Sequence, residues 1–362
     1  MAGESWTIKK CLDWTNEYLG RRGIERPRLS AEWLLTAATG LSRVGLYTDF
    51  DRPLSEDELS FMHDAVVRRA KGEPLQYITG ETTFRMIDVA CEPGVLIPRP
   101  ETEVLVDEVL AYLDADVLGA QSAGSRTRVE LPWNAEVEAA REEEAKRAAA
   151  QDESERVEMA SDDEVFGHAD ADDEAEPSDG FESEREDPSE DEPEEAPEPR
   201  RAHVLEVGCG TGCISLSLAT ERAGRVTCVA TDIEPRAVAL AIKNRDALDI
   251  APETVDIRLG NLVSPLDRES EWGAFDVLVS NPPYIPSRVM GELPHEVADF
   301  EPALALDGGD DGLDIFRRLL KAAPYMLRTG GLFACELFEG ALDEAARLCE
   351  EAGMADVRIV YD

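Results

Sequence analysis

The chain of 362 residues has no run of eighteen apolar residues, and no basic start followed by an apolar core opens it. A membrane-spanning helix and a secretory leader are therefore not expected, and a cytoplasmic protein is. Seven cysteines, at 11, 91, 209, 213, 228, 335 and 349, include no C-x-x-C pair, which argues against a disulfide framework or a zinc site and for reduced, buried thiols. Histidines number four and are scattered, so no metal is expected. His295, in Pro294-His295-Glu296, reads as a solvent-facing loop residue. Basic residues are also scarce. Lys and Arg total 36 against 78 Asp and Glu, a formal charge of −42 that repels phosphate backbones and excludes strong sequence-independent nucleic-acid binding.

The charge is unevenly spread. Residues 115–200 hold 30 Asp and Glu against 8 Lys and Arg, and the remaining residues hold 48 against 28, so both parts are acidic. The first 82 residues show helical periodicity at about 5–20, 30–39 and 55–71, with Ser55-Glu56-Asp57-Glu58 as a capping box. Residues 83–113 read as a β-hairpin from Phe84 to Ile97 around Pro93-Gly94, followed by a linking helix that has Pro100 in its first turn and runs to about Leu113. Residues 114–201 form an insertion whose second half is mostly Asp, Glu, Ser and Pro. Such a segment buries too little apolar surface to offset chain entropy and is expected to be disordered, with a transient charged helix over 134–150, and functionally neutral, a partner-binding arm being the alternative. From 202 to 362, strands near 203–207, 226–231, 255–259, 275–280, 331–337 and 356–361 alternate with helices. The fold class is thus α/β, a doubly wound, mostly parallel sheet with a small N-terminal helical domain, and ligands are expected at the carboxyl ends of the strands.

Two of those strand ends carry chemistry. His203-Val204-Leu205-Glu206-Val207 runs into Gly208-Cys209-Gly210-Thr211-Gly212 and then a helix. Glycines there permit positive φ and close approach of a ligand, and a helix start supplies unpaired NH groups. The G-x-G-x-G spacing differs from the dinucleotide pattern, and Glu206 suits a ligand with a cationic amino group better than a phosphate. The next strand ends in Asp232, whose carboxylate is able to accept from both ribose hydroxyls.

The fourth strand ends in Asn281-Pro282-Pro283-Tyr284. An amide or exocyclic amine has a delocalised lone pair, attacks carbon poorly and donates two hydrogen bonds, so a device that holds it needs two fixed acceptors. The Asn281 side-chain carbonyl and the Pro282 backbone carbonyl are such a pair, and the two prolines stiffen the turn while adding no donor. Tyr284 offers an aromatic face for a flat substrate group beside a cationic methyl donor. A proline-rich turn closing a buried strand is the plain alternative.

In order and spacing, Glu206 to Gly212, Asp232 and Asn281 to Tyr284 resemble the class I S-adenosylmethionine-dependent methyltransferases that modify amide or amino nitrogen. More narrowly, Gly72-Glu73-Pro74-Leu75-Gln76-Tyr77-Ile78-Thr79-Gly80, Leu96-Ile97-Pro98-Arg99-Pro100-Glu101-Thr102-Glu103, Phe300-Glu301-Pro302 and Ala305-Leu306-Asp307-Gly308-Gly309 resemble the glutamine methyltransferases of peptide-chain release factors. The resemblance implies a protein-glutamine N-methyltransferase with S-adenosylmethionine as cofactor. Its substrate would be the glutamine of the Gly-Gly-Gln loop of a class 1 release factor, and its partner that factor. A monomer is expected. It also implies cofactor contacts from Glu206, Gly208, Cys209, Gly210, Thr211, Gly212, Asp232, Asn261, Leu262 and Asn281, and substrate contacts from Asn281, Pro282, Pro283 and Tyr284, of which Asn281, Pro282 and Tyr284 would be catalytic.

This chain departs from the family pattern at three places. Asn261 stands where an aspartate is usual beside the adenine, Glu336 is followed by Leu337-Phe338-Glu339 in place of a glycine-containing turn, and the sequence stops at Asp362 before a last strand. Arg99 and Glu101 are candidates for orienting the substrate loop or for a structural ion pair. The alternatives from other classes are an adenine-N6 nucleic-acid methyltransferase, which needs the same two-acceptor holder after base flipping, and a non-catalytic binding module.

Overall fold

Capping side chains and turn glycines set the ends of the N-terminal helices. A computed structural model of the protein describes residues 5–119 and 200–361, which belong to one compact unit. Helix α1 (Ile8–Arg21) starts where the Thr7 hydroxyl accepts from the Lys10 amide. Helix α2 (Pro27–Thr39) has proline at its first position and left-handed Gly40 at its end, and α3 (Arg43–Thr48) is capped by Ser42. The expected capping box opens α4 (Glu56–Arg69): Ser55 Oγ accepts from the Glu58 amide, and the Glu58 carboxylate accepts from the Ser55 amide. A short α5 (Leu75–Thr79) ends at Gly80 with φ 87°. Their apolar faces meet around Ile8, Leu12, Leu34, Leu35, Leu46 and Val66.

Strands β1 (Glu81–Phe84) and β2 (Ile87–Ala90) then pair antiparallel, followed by α6 (Thr102–Tyr112). The five strands β3 (Ala202–Val207), β4 (Val226–Asp232), β5 (Val255–Leu259), β6 (Phe275–Ser280) and β7 (Leu327–Cys335) are all parallel, in the order β5-β4-β3-β6-β7. Helices α7 (Cys213–Glu221), α8 (Pro235–Ala247), α9 (His295–Ala298), α10 (Asp314–Met326) and α11 (Leu342–Glu351) lie between and after them. Successive residues of a strand face opposite sides. Val204 and Val277 accordingly join a core with Leu216, Val106 and Leu110, and Leu205 and Leu278 join another with Leu319 and Met326. Both sheet faces are covered, as a parallel sheet requires.

From β3 the chain winds first to β4 on one side and later to β6 on the other. The reversal opens a crevice between the carboxyl ends of β3 and β6, and there the glycine turn and the Asn281 turn meet. Ser280 Oγ donates to the Val207 carbonyl at 2.6 Å and ties the two strand tips together.

Several expectations are corrected. The hairpin turns at Arg85-Met86, with Arg85 at φ 52°, and not at Pro93-Gly94, which makes a separate turn after β2. Pro100 lies ahead of α6, whose first residue is Thr102. The chain does not leave the fold at 114: a π-helical turn (Leu113–Val117) carries it on, and Val117 and Leu118 are buried against the sheet. Residues 356–361 form no strand, and Arg358 instead pairs with Glu108 at 3.2 Å. The expected helix over 134–150 lies outside the described residues.

Candidate active site

Glu206 sits at the end of β3 with its side chain inside the protein. One carboxylate oxygen, Oε2, accepts from the Ser215 amide at 2.9 Å and from the Ser215 hydroxyl. The other, Oε1, is buried with no partner among the described residues. Burial pushes this carboxyl up to about 8, the Ser215 hydrogen bonds hold it down in part, and neighbouring Asp232 raises it further. A buried, half-satisfied carboxylate costs free energy unless a cation or donor reaches it.

The turn that follows uses its glycines for conformation. Gly208, Gly210 and Gly212 have φ of 76°, 55° and 81°, a region costly for side chains with a Cβ. Its amides are largely engaged within the protein: those of Gly208 and Cys209 donate to the Thr231 carbonyl, that of Gly210 to Asp232 Oδ2 and that of Gly212 to the Cys209 carbonyl. The turn therefore presents a close-approach surface more than a row of free donors. Together with Thr211, Leu96, Arg99 and Asn281 it lines a cavity of about 40 Å³ that Glu206 also faces.

Asp232, Asn261 and Leu262 lie outside this cavity. Both Asp232 oxygens accept backbone amides, from Gly210 at 2.8 Å and Glu234 at 2.9 Å, which hold the carboxylate at the strand tip. The Asn261 carbonyl, expected to face an adenine amino group, accepts from Arg318 at 2.9 Å. Leu262, at φ 53°, packs its side chain against the core around Leu205 and Leu278.

Asn281 faces two cavities at once. It lines the glycine-turn cavity and a second one of about 170 Å³ with Leu96, Arg99, Tyr284, Ile285, Leu293 and Leu306. Its Nδ2 donates to Thr102 Oγ1 at 3.0 Å. The Tyr284 hydroxyl donates to Glu336 Oε1 at 3.0 Å. Pro282 is buried and Pro283 half-buried. Behind the turn, Ile285 exchanges backbone hydrogen bonds with Leu306 and Gly308, so the segment Ala305 to Gly309 braces it. Arg99 forms its ion pair with Glu301, at 2.5 Å, and not with Glu101; Glu301 also accepts from the Ile97 amide at 3.3 Å. His295 is on the surface, beside Asp299.

Comparison with known proteins agrees with this architecture. The family model described as the PrmC N-terminal domain matches residues 10–80, and that of the methyltransferase small domain matches 194–293. The release factor glutamine methyltransferase of Geobacter sulfurreducens is 34% identical over 359 residues, which span 99% of this chain and 94% of that protein. The chain belongs to the release factor glutamine methyltransferase family. Members from Chlorobaculum tepidum and Moorella thermoacetica are 30% and 32% identical, covering 99% and 91% of this chain and 94% and 85% of their own lengths.

Within this family member, reasoning from sequence missed Thr102 and Glu336. Thr102 is part of the segment singled out for Arg99 and Glu101, yet its hydroxyl is the group that touches Asn281. Glu336 was noted only for the turn after it.

Proposed function

We propose that this protein methylates the side-chain amide nitrogen of a glutamine in a class 1 peptide-chain release factor, at the Gly-Gly-Gln loop, with S-adenosylmethionine as methyl donor. The observation that carries the proposal is the placement of Asn281, its NH2 end tied to Thr102 and its side chain on the wall shared by the two cavities. Glu206 fits the cofactor, because its orphaned buried Oε1 is a partner for an ammonium group beside a turn that a side chain would obstruct. Asp232 would hold the ribose, Asn261 and Leu262 would flank the adenine, and Gly208 to Gly212 would cradle the amino-acid end.

S-adenosylmethionine, when bound, supplies a methyl carbon already activated by its sulfonium. The chain's own task is to aim the amide nitrogen and keep it there. Asn281 Oδ1 and the Pro282 carbonyl take one amide hydrogen each. As attack proceeds the nitrogen gains positive charge, and its hydrogens bind these two oxygens more strongly than in the resting amide, so stabilisation grows toward the transition state. No base needs to act first, since the nitrogen proton becomes acidic only after methylation. Tyr284 lines the cavity through which the glutamine side chain would enter.

On the same reading, residues 1–82 grip the release factor and 202–362 carry out the transfer, with 83–113 joining them and the acidic insertion neutral. The protein acts as a monomer in the cytoplasm and does not bind nucleic acid strongly. Seven free cysteines suit that reducing compartment, and the charge of −42 disfavours phosphate backbones. No helix among the described residues is long and apolar enough to cross a membrane.

Incubation with methyl-labelled cofactor and a release factor, wild type or with its loop glutamine replaced, tests the proposal. Label should appear on the wild-type factor alone. Asn281→Ala should lose roughly 100- to 1,000-fold in kcat, the scale of removing one oriented transition-state partner, with little change in cofactor affinity. Label on the factor that lacks the glutamine, or on an oligonucleotide instead, defeats the proposal.

A further inference from the structure

An asparagine amide is nearly symmetric in shape, and only its partners decide which end points where. The two-acceptor holder works with Oδ1 toward the substrate and fails with Nδ2 there. Nδ2 donates to the Thr102 hydroxyl, but a hydroxyl both donates and accepts, so Thr102 alone would tolerate the amide in either orientation. Something must consume the hydroxyl's own proton.

Glu336 is placed to do so. Its amide donates to the Ser280 carbonyl at 3.1 Å, one step past the β6–β7 register pair Ser280 and Cys335, which puts it directly beside Asn281. Its carboxyl is faced by the side chains of Thr102, Tyr284 and Asn281, with the Tyr284 hydroxyl on Oε1. Oε2 is buried and closes no hydrogen bond of good geometry among the described residues, so it is open to a donor from this group. Burial pushes this carboxyl up, and the donors of Thr102, Tyr284 and Asn281 hold it down against burial and the nearby Glu101 charge. In its ionised form it only accepts, and the N–H and O–H groups around it then point inward: Tyr284 O–H, Thr102 O–H, and Asn281 N–H onto the Thr102 lone pair. Three segments distant in sequence, at the start of α6, after β6 and after β7, converge on this one acceptor.

We propose that Glu336 is a positioning residue for methyl transfer, which through Thr102 and Tyr284 fixes the Asn281 amide with its carbonyl toward the cavity. The proposal rests on the function inferred above. Loss of a hydrogen bond to a charged group here should appear in kcat, because the amide orientation serves the reacting nitrogen and not the cofactor.

The test compares the full chain with Glu336→Gln, Thr102→Val and Thr102→Ser, measuring kcat and KM for the release factor and the Kd of S-adenosylhomocysteine by calorimetry. Glu336→Gln keeps the shape but adds an NH2 that donates to Thr102, and Thr102→Val removes the hydroxyl. Both should lose roughly 10- to 100-fold in kcat with KM and Kd within about twofold, and Thr102→Ser should retain wild-type kcat. Unchanged kcat in Glu336→Gln, or a matched loss of kcat and cofactor affinity, overturns the inference. If Glu336→Gln does not fold, the Thr102 pair decides: equal activity of the Val and Ser variants overturns it. A second readout needs no turnover. In protein labelled with 15N-asparagine, the Asn281 side-chain NH2 signal, assigned by its loss in Asn281→Ala, should move in Thr102→Val and in Glu336→Gln. A wild-type chain that leaves the release factor unmethylated refutes the proposed function, while this signal still judges the inference, and an unmoved signal refutes it.

Discussion

Glu206 shows how one buried group links ligand, proton and stability. Its carboxyl titrates near 8 in the folded protein, against an ordinary value of 4.5, chiefly because burial penalises the charged form. Between those two values the folded state keeps a proton that the unfolded state has released. This group's contribution to stability is therefore fully present below about pH 4.5 and is lost as pH rises through about 8. A cationic ligand reverses the preference, because it pairs with the ionised form. S-adenosylhomocysteine affinity is thus expected to rise from pH 6 to about 8, by up to about tenfold per unit, and to level off or fall where the ligand's own amino group loses its proton. Calorimetry in two buffers of different ionisation enthalpy should detect proton release near pH 7. In Glu206→Gln both effects should vanish and binding should weaken. A wild-type Kd that does not change over this range would remove Glu206 as the ammonium partner.

At the scale of elements, the turn that carries Asn281 is shaped as much by the segment behind it as by its own prolines. A Cβ on Gly308 would stand 2.8 Å from the Pro283 carbonyl oxygen and from the Tyr284 Cα, both backbone atoms unable to swing aside. Gly308→Ala should therefore shift the turn itself, lowering stability by roughly 1–3 kcal/mol and kcat by more than cofactor affinity. A thermal melt and turnover both at wild-type level would show that the brace is not needed. That Gly308 sits in a motif was visible in the sequence; that its lack of a side chain serves the Asn281 turn was not, because the contact spans a loop. The glycine turn, Asp232 and Asn281 were legible as strand-end residues, since buried strands and turn glycines leave strong local patterns. Glu336 was not, because its adjacency to Asn281 depends on the register of β6 against β7. The hairpin turn was misplaced because Pro93-Gly94 is the stronger turn signal, whereas Arg85 adopts its left-handed conformation without any mark in the sequence. Val357, Ile359 and Tyr361 alternate as a strand does, but no strand among the described residues supplies them a hydrogen-bonded ladder.

Across the whole molecule, the described residues that flank the acidic insertion are held at one place. The Arg225 guanidinium donates to the Leu118 carbonyl at 2.9 Å and to the Arg200 carbonyl at 3.1 Å, so a single side chain holds both flanks of the insertion. Ends fixed this close need only a short connection, and loop-closure entropy changes slowly with length, so shortening the insertion neither strains the flanks nor gains much stability. Residues 120–198 carry 29 Asp and Glu against 7 Lys and Arg, so their removal takes the formal charge from −42 to −20. Replacing them with a short Gly-Ser linker should leave the melting temperature within a few degrees and kcat on the release factor within about twofold. The same deletion in Arg225→Ala should melt lower, since the two ends then lose their common anchor. Circular dichroism melts and label transfer measure both. Loss of transfer by the shortened chain with its fold and cofactor affinity intact would give the insertion a role in catalysis that its composition does not suggest.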